Sequence, residues 1–134
     1  MSVRAIPLLV LAFVFYNAIV LSLGLEALTK EMFHIRLLSG GDWVFTWGDL
    51  ILLVTLILLF IEIVKSTFTS TSTLIDHALS MLVFMAVGIE FLTVPQAATS
   101  VFFLILIATL IDVIGGYTIG IRVARRDLSI GADQ

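Results

Sequence analysis

Glu62-Ile-Val-Lys65-Ser66-Thr-Phe-Thr-Ser-Thr-Ser-Thr73 is a polar stretch, closed by Asp76 and His77. Before it lies the apolar run Leu50 to Ile61, and after it a second apolar run reaches Leu92. It is the only long polar joint between strongly apolar segments. A polar joint between two apolar runs, each the centre of a span of about 20 helical residues, turns the chain back into a bilayer.

Composition agrees. Of the 134 residues, 60% are hydrophobic and 13% charged. A soluble domain is nearer to about half apolar and about a quarter charged. The excess belongs to a chain whose outer surface meets lipid. At this length one domain is expected, residues 1–134. The net charge of -3 is small and the basic residues are scattered, which argues against a nucleic-acid partner. No cysteine is present, so disulfides, thiolate metal sites and thiol-redox chemistry are excluded.

Working outward, the fold class expected is all-α: a polytopic membrane protein with four transmembrane helices in a bundle. The spans fall at about 5–23, 44–65, 74–92 and 97–121. Arg4 precedes the first, which is too long for a signal core and lacks a following A-x-A site, so a retained span is expected. After it, Leu25, Leu28, Met32 and Ile35 have helical spacing and Glu26 can pair with Lys30. From Leu25 to Leu38, either the first helix projects from the membrane or a short amphipathic segment lies on its surface, ended by Gly40-Gly41. Trp43 and Trp47 suit a membrane interface. The second span begins near Trp43, or at the capping box Thr46-Trp-Gly-Asp49. Thr73-Leu-Ile-Asp76 reads as another capping box opening the third span. Pro95 fits the first turn of the fourth. A mobile tail to Gln134 is expected.

Basic residues set the orientation. Arg4, Lys65, Arg122, Arg125 and Arg126 lie on one side, Lys30 and Arg36 on the other. The positive-inside rule then puts both termini in the cytoplasm.

Ionisable groups within spans are costly and need partners. Placed by the helical rise of about 1.5 Å per residue, they form three layers. Glu62, Lys65, Asp76, His77 and Arg122 form the cytoplasmic-side layer. Asn17, Thr55, Thr109 and Asp112 lie near the middle, and Asp49 and Glu90 in the outer half. Asn17, Thr55 and Asp112 are therefore expected as one buried polar cluster. Ala108, Gly116 and Gly120 share a face with Asp112 at four-residue steps. That face is expected to pack closely on another helix, in the same chain or in a second subunit.

Glu62-Ile-Val-Lys65, the polar joint, the apolar third span and the basic C-terminal end resemble the small four-span inner-membrane proteins of the PsiE type, associated with phosphate starvation. The resemblance covers roughly the second half of the chain and implies a bacterial inner (cytoplasmic) membrane. The whole chain is also similar to uncharacterised four-span bacterial membrane proteins.

No P-loop, zinc motif or Ser/His/Asp set is present. His34 and His77 fall on opposite sides, so they do not suit one haem iron. The first span holds Asn17 where a small multidrug exporter would hold an acid. The expectation is a non-enzymatic protein without cofactors, an accessory subunit or regulator bound to membrane lipid and to other membrane protein subunits or to itself. The alternative is a small oligomeric ion- or proton-coupled transporter or channel using intramembrane acids.

Overall fold

The computed structural model describes residues 5–68 and 71–132. Arg4 and Gln134 lie outside the described residues. The chain is mostly helical, with four α-helices: α1 (Leu9–Leu23), α2 (Trp47–Lys65), α3 (Thr71–Thr93) and α4 (Ser100–Ala132). The helices α2, α3 and α4 are long and apolar enough to cross a membrane, whereas α1 is a shorter apolar helix. The long helix α4 packs along both α2 and α3, and α1 packs against all three.

Each boundary has a local cause. Pro7 has no N–H, so the helix start falls just after it, and α1 ends at Gly24, whose φ is +89°. For α2 the later of the two expected starts is the observed one. Thr46 accepts from the Asp49 N–H at 3.2 Å, and Asp49 accepts from the Thr46 N–H at 3.0 Å. The helix α3 begins at Thr71, two residues before the expected cap, so Thr73 and Asp76 lie inside its first turns and do not form a capping box. Pro95 opens a 3-10 turn, Pro95–Ala97, and α4 starts only at Ser100. Thr99 caps α4 by accepting from the Phe102 N–H at 3.1 Å. The described part of the expected mobile tail continues α4 to Ala132.

The segment after α1 corrects the all-α expectation. Leu25–Thr29 is a 3-10 turn, not the start of an amphipathic helix. Two antiparallel strands follow, β1 (Glu31–Arg36) and β2 (Asp42–Thr46). Phe33 pairs with Phe45 and Ile35 with Trp43, so the strands place these four on one face. Phe33 stacks on Phe45 with centroids 4.9 Å apart, and Trp43 meets Phe45 edge-on at 5.7 Å. Gly40, at φ +89°, takes the left-handed position in the turn. A helical stripe gave way here because cross-strand aromatic pairing and a glycine turn favour a hairpin.

The hairpin joins the helices without a linker, since Thr46 both ends β2 and caps α2. The Trp47 N–H donates to the Lys30 carbonyl at 3.1 Å. A Cβ on Gly48 would stand 2.9 Å from the Leu28 carbonyl oxygen. Only glycine lets the 3-10 turn approach α2 this closely.

The core lies among the helices, with Ala12, Ile51, Val87, Phe102 and Ile105 at 0% exposure. Toward the hairpin end, Tyr16 meets Phe102 edge-on at 4.9 Å. The Tyr16 hydroxyl donates to the Gln96 carbonyl at 2.8 Å and lies 2.7 Å from Thr99 Oγ1. This ties α1 to the α3–α4 turn.

Candidate functional site

Opposite the hairpin, α2 ends and α3 begins beside the N-terminal end of α1. The helix start at α1 leaves backbone N–H groups without partners in its own helix. One of these, on Leu8, donates to Glu62 Oε1 at 2.9 Å. A carboxylate at a helix N-terminus is also favoured by the helix dipole. Glu62 is 1% exposed.

Lys65 completes the arrangement. Its Nζ donates to the Ile6 carbonyl at 2.6 Å, to Glu62 Oε1 at 2.8 Å and to Asp76 Oδ1 at 3.2 Å. An ammonium group has three donors, and here three segments of the chain use all of them. Ile6, Lys65 and Asp76 are thereby held at one end of the helices. A short stem of α2 places the Glu62–Lys65 pair, three residues apart on one face. The helix rotation of α3 brings Asp76 to it. Asp76 thus serves as an acceptor for Lys65, not as a cap for α3.

Next to this network lies His77, buried beneath α4. Its ring stacks on Tyr117 with centroids 4.9 Å apart. Among the described residues its Nε2 has no hydrogen-bond partner. The ring lies against Gly116 and Gly120: an added Cβ would meet His77 Cε1 at 3.0 Å and Nε2 at 3.2 Å respectively. The small-residue face of α4 therefore receives a side chain of α3 within the same chain. Ala108, on that face one turn before Asp112, is buried in the core.

Asp112 is 4% exposed. It faces Ser80 of α3. The Ser80 hydroxyl stops short of a well-formed hydrogen bond. Asn17 and Thr55 were expected beside Asp112 because their depths match. Asn17 instead donates to the Phe13 carbonyl at 3.1 Å, and the Thr55 hydroxyl to the Ile51 carbonyl at 2.7 Å. The Thr109 hydroxyl likewise returns to Leu106 at 2.6 Å. Among the described residues, no hydrogen bond joins Asn17, Thr55 and Asp112. Arg122 is exposed and makes no ion pair among the described residues.

The structure therefore gathers Glu62, Lys65, Asp76 and His77, with Asp112 one layer deeper, and leaves Arg122 outside. Sequence reasoning missed Tyr16, Ser80, Tyr117 and the backbone of Ile6 and Leu8. Two signals were available: Pro7, which frees the backbone groups on either side of it, and Tyr16, a polar tip within an apolar run. One ammonium here pairs with two carboxylates, Glu62 and Asp76, both from residues within helices. Such a set can staple helices or exchange protons. Among the described residues, no three His, Asp or Glu side chains are placed to hold a metal ion.

No family model, curated protein or solved structure matches the chain.

Proposed function

We propose that the chain is a non-enzymatic integral membrane protein, a four-span bundle that acts as an accessory subunit or regulator by lateral contact with a larger membrane protein. One observation carries this reading: the Lys65 ammonium and the mid-depth threonine hydroxyls are taken up by acceptors of the same chain. Lys65 spends its three donors on Ile6, Glu62 and Asp76. The mid-depth hydroxyls of Thr55 and Thr109 bond to carbonyls of their own helices. Between the Lys65 network and the Tyr16–Thr99 contact, the core is filled by Ala12, Ile51, Val87, Phe102 and Ile105. A polar path for an ion would have to cross that apolar plug. The broad exposed apolar surface of the helices suits such lateral contact.

The bacterial inner membrane is the setting that the PsiE-type resemblance implies. Both termini lie in the cytoplasm in this reading. Support comes from Ile6, Lys65 and the Gly120 end of α4 lying at one end, where Arg122, Arg125 and Arg126 follow. Cytoplasmic loops carry the excess of Lys and Arg.

The test is purification of the native protein in mild detergent, followed by reconstitution of the isolated chain in liposomes. The expected result is stoichiometric recovery of a larger membrane protein, and no ion or proton flux from the isolated chain. Recovery of this chain alone, with a flux abolished by Asp112→Asn, would overturn the reading in favour of the transporter alternative.

A further inference from the structure

We infer that the cleft between α3 and α4 beside His77 is a binding site for one anionic phospholipid. The inference rests on the membrane reading, though not on any partner protein.

The cleft has a volume of about 270 Å³, and its lining includes Phe68 beyond α2, Thr73, Leu74 and His77 of α3, and Tyr117, Gly120, Ile121 and Ala124 of α4. It exists because Gly120 has no side chain and the His77 ring is drawn under α4. Its walls are almost wholly apolar, and Leu74 and Ile121 on its rim are exposed. Such a surface suits the glycerol and upper acyl region of a lipid.

Depth and charge identify which lipid. From Ser100 to Ile121, α4 rises about 32 Å at the helical rise, close to the roughly 30 Å of hydrocarbon in a bilayer. The cleft therefore sits at the boundary, and Arg122, Arg125 and Arg126 stand at headgroup level. All three are exposed, and none makes an ion pair among the described residues. Arg125 follows Ile121 by four residues, so it lies on the flank of the cleft, one turn beyond it. Among the described residues, the other cation at this end, Lys65, has no donor left. An apolar cleft that leads into unpaired guanidinium groups matches an acyl chain that leads into a phosphate, and arginine binds phosphate in a bidentate fork. A zwitterionic lipid would bring its own cation against the same arginines.

The experiment is native mass spectrometry of the isolated chain in mild detergent, with equal amounts of phosphatidylglycerol and phosphatidylcholine of matched chains. The parent should retain phosphatidylglycerol in preference, by about fivefold for each arginine engaged. Arg125→Gln, an exposed change, should cut that preference severalfold without altering the helical circular dichroism. Ala124→Phe should lower the retention of both lipids by filling the cleft. Equal retention of the two lipids by the parent, or an unchanged preference in Arg125→Gln, overturns the inference. So does displacement by millimolar glycerol phosphate, which would mark a site for phosphate alone, or by a second copy of the chain. The isolated chain is used throughout, so failure of the lipid site leaves the accessory reading standing, and the reverse.

Discussion

Replacing Lys65 with Met removes the cation that ties three segments together and keeps most of the side-chain volume. The Lys65 side chain is 13% exposed, and those of Glu62 and Asp76 are 0% and 4% exposed. The variant would leave two enclosed carboxylates with no cation, and an Ile6 carbonyl with no donor. Breaking an enclosed ion pair by deleting one partner costs about 3–5 kcal/mol. Glu62 keeps the Leu8 N–H, so the lower end, about 3 kcal/mol, is expected. Removing the charges together, as in Glu62→Gln/Lys65→Met/Asp76→Asn, should cost only about 1 kcal/mol, because no charge is stranded. The assay is unfolding in mixed micelles of rising dodecyl sulfate fraction, followed by helical circular dichroism. A loss below about 0.5 kcal/mol for Lys65→Met would refute the clamp, since contacts between independent sites add within that margin. So would a triple variant no more stable than the single one.

Other expectations concern the packing. Gly116→Ile should destabilise the chain by about 1–3 kcal/mol, since a bare Cβ there already stands 3.0 Å from His77 Cε1. His77→Ala in the same chain should recover part of that loss, and no recovery in the same micelle titration would show that the imidazole is not the obstacle. Tyr16→Phe should cost about 1–3 kcal/mol by leaving the Gln96 carbonyl and the Thr99 hydroxyl short of a partner; an unchanged midpoint would argue against it. Gly48→Ala should disturb the hairpin before the helices, because the new Cβ meets the Leu28 carbonyl at 2.9 Å. Trp fluorescence should then change at a lower dodecyl sulfate fraction than the helical signal.

The helices were legible because each is an apolar run, and Pro7, Gly24, Thr46 and Pro95 punctuate them with local signals. Thr46 and Asp49, three apart, mark the start of α2 without reference to anything distant. The hairpin was misread because the 3-10 turn and the first strand, taken together, mimic a helical stripe at Leu25, Leu28, Met32 and Ile35. Its own period of two was present in Phe33 and Ile35, and again in Trp43 and Phe45, on either side of Gly40-Gly41. At the site, the Glu62–Lys65 pair could be read from spacing within one helix. Asp76 joining it could not, since that depends on the rotation of α3 after the polar joint. The same limit applies to Asn17, Thr55 and Asp112. The helical rise fixes their depth, but rotation about each axis decides which carbonyl or hydroxyl they meet.

The helix α1 has 15 residues, a length of about 22 Å at the helical rise, and neither end is free to extend. Below, Pro7 and the Glu62 carboxylate fix its start; above, Gly24 turns the chain away. Its neighbours α2 and α3 run to 19 and 23 residues. In the four-span membrane setting proposed above, a bilayer that follows this uneven hydrophobic girth is pinched on the α1 side by several ångströms, and each ångström of mismatch costs a fraction of a kcal/mol. The pinched flank gives the molecule a thin side and a thick side. Short-chain lipids should collect along α1, and in a membrane of mixed thickness that flank should turn toward the thinner region.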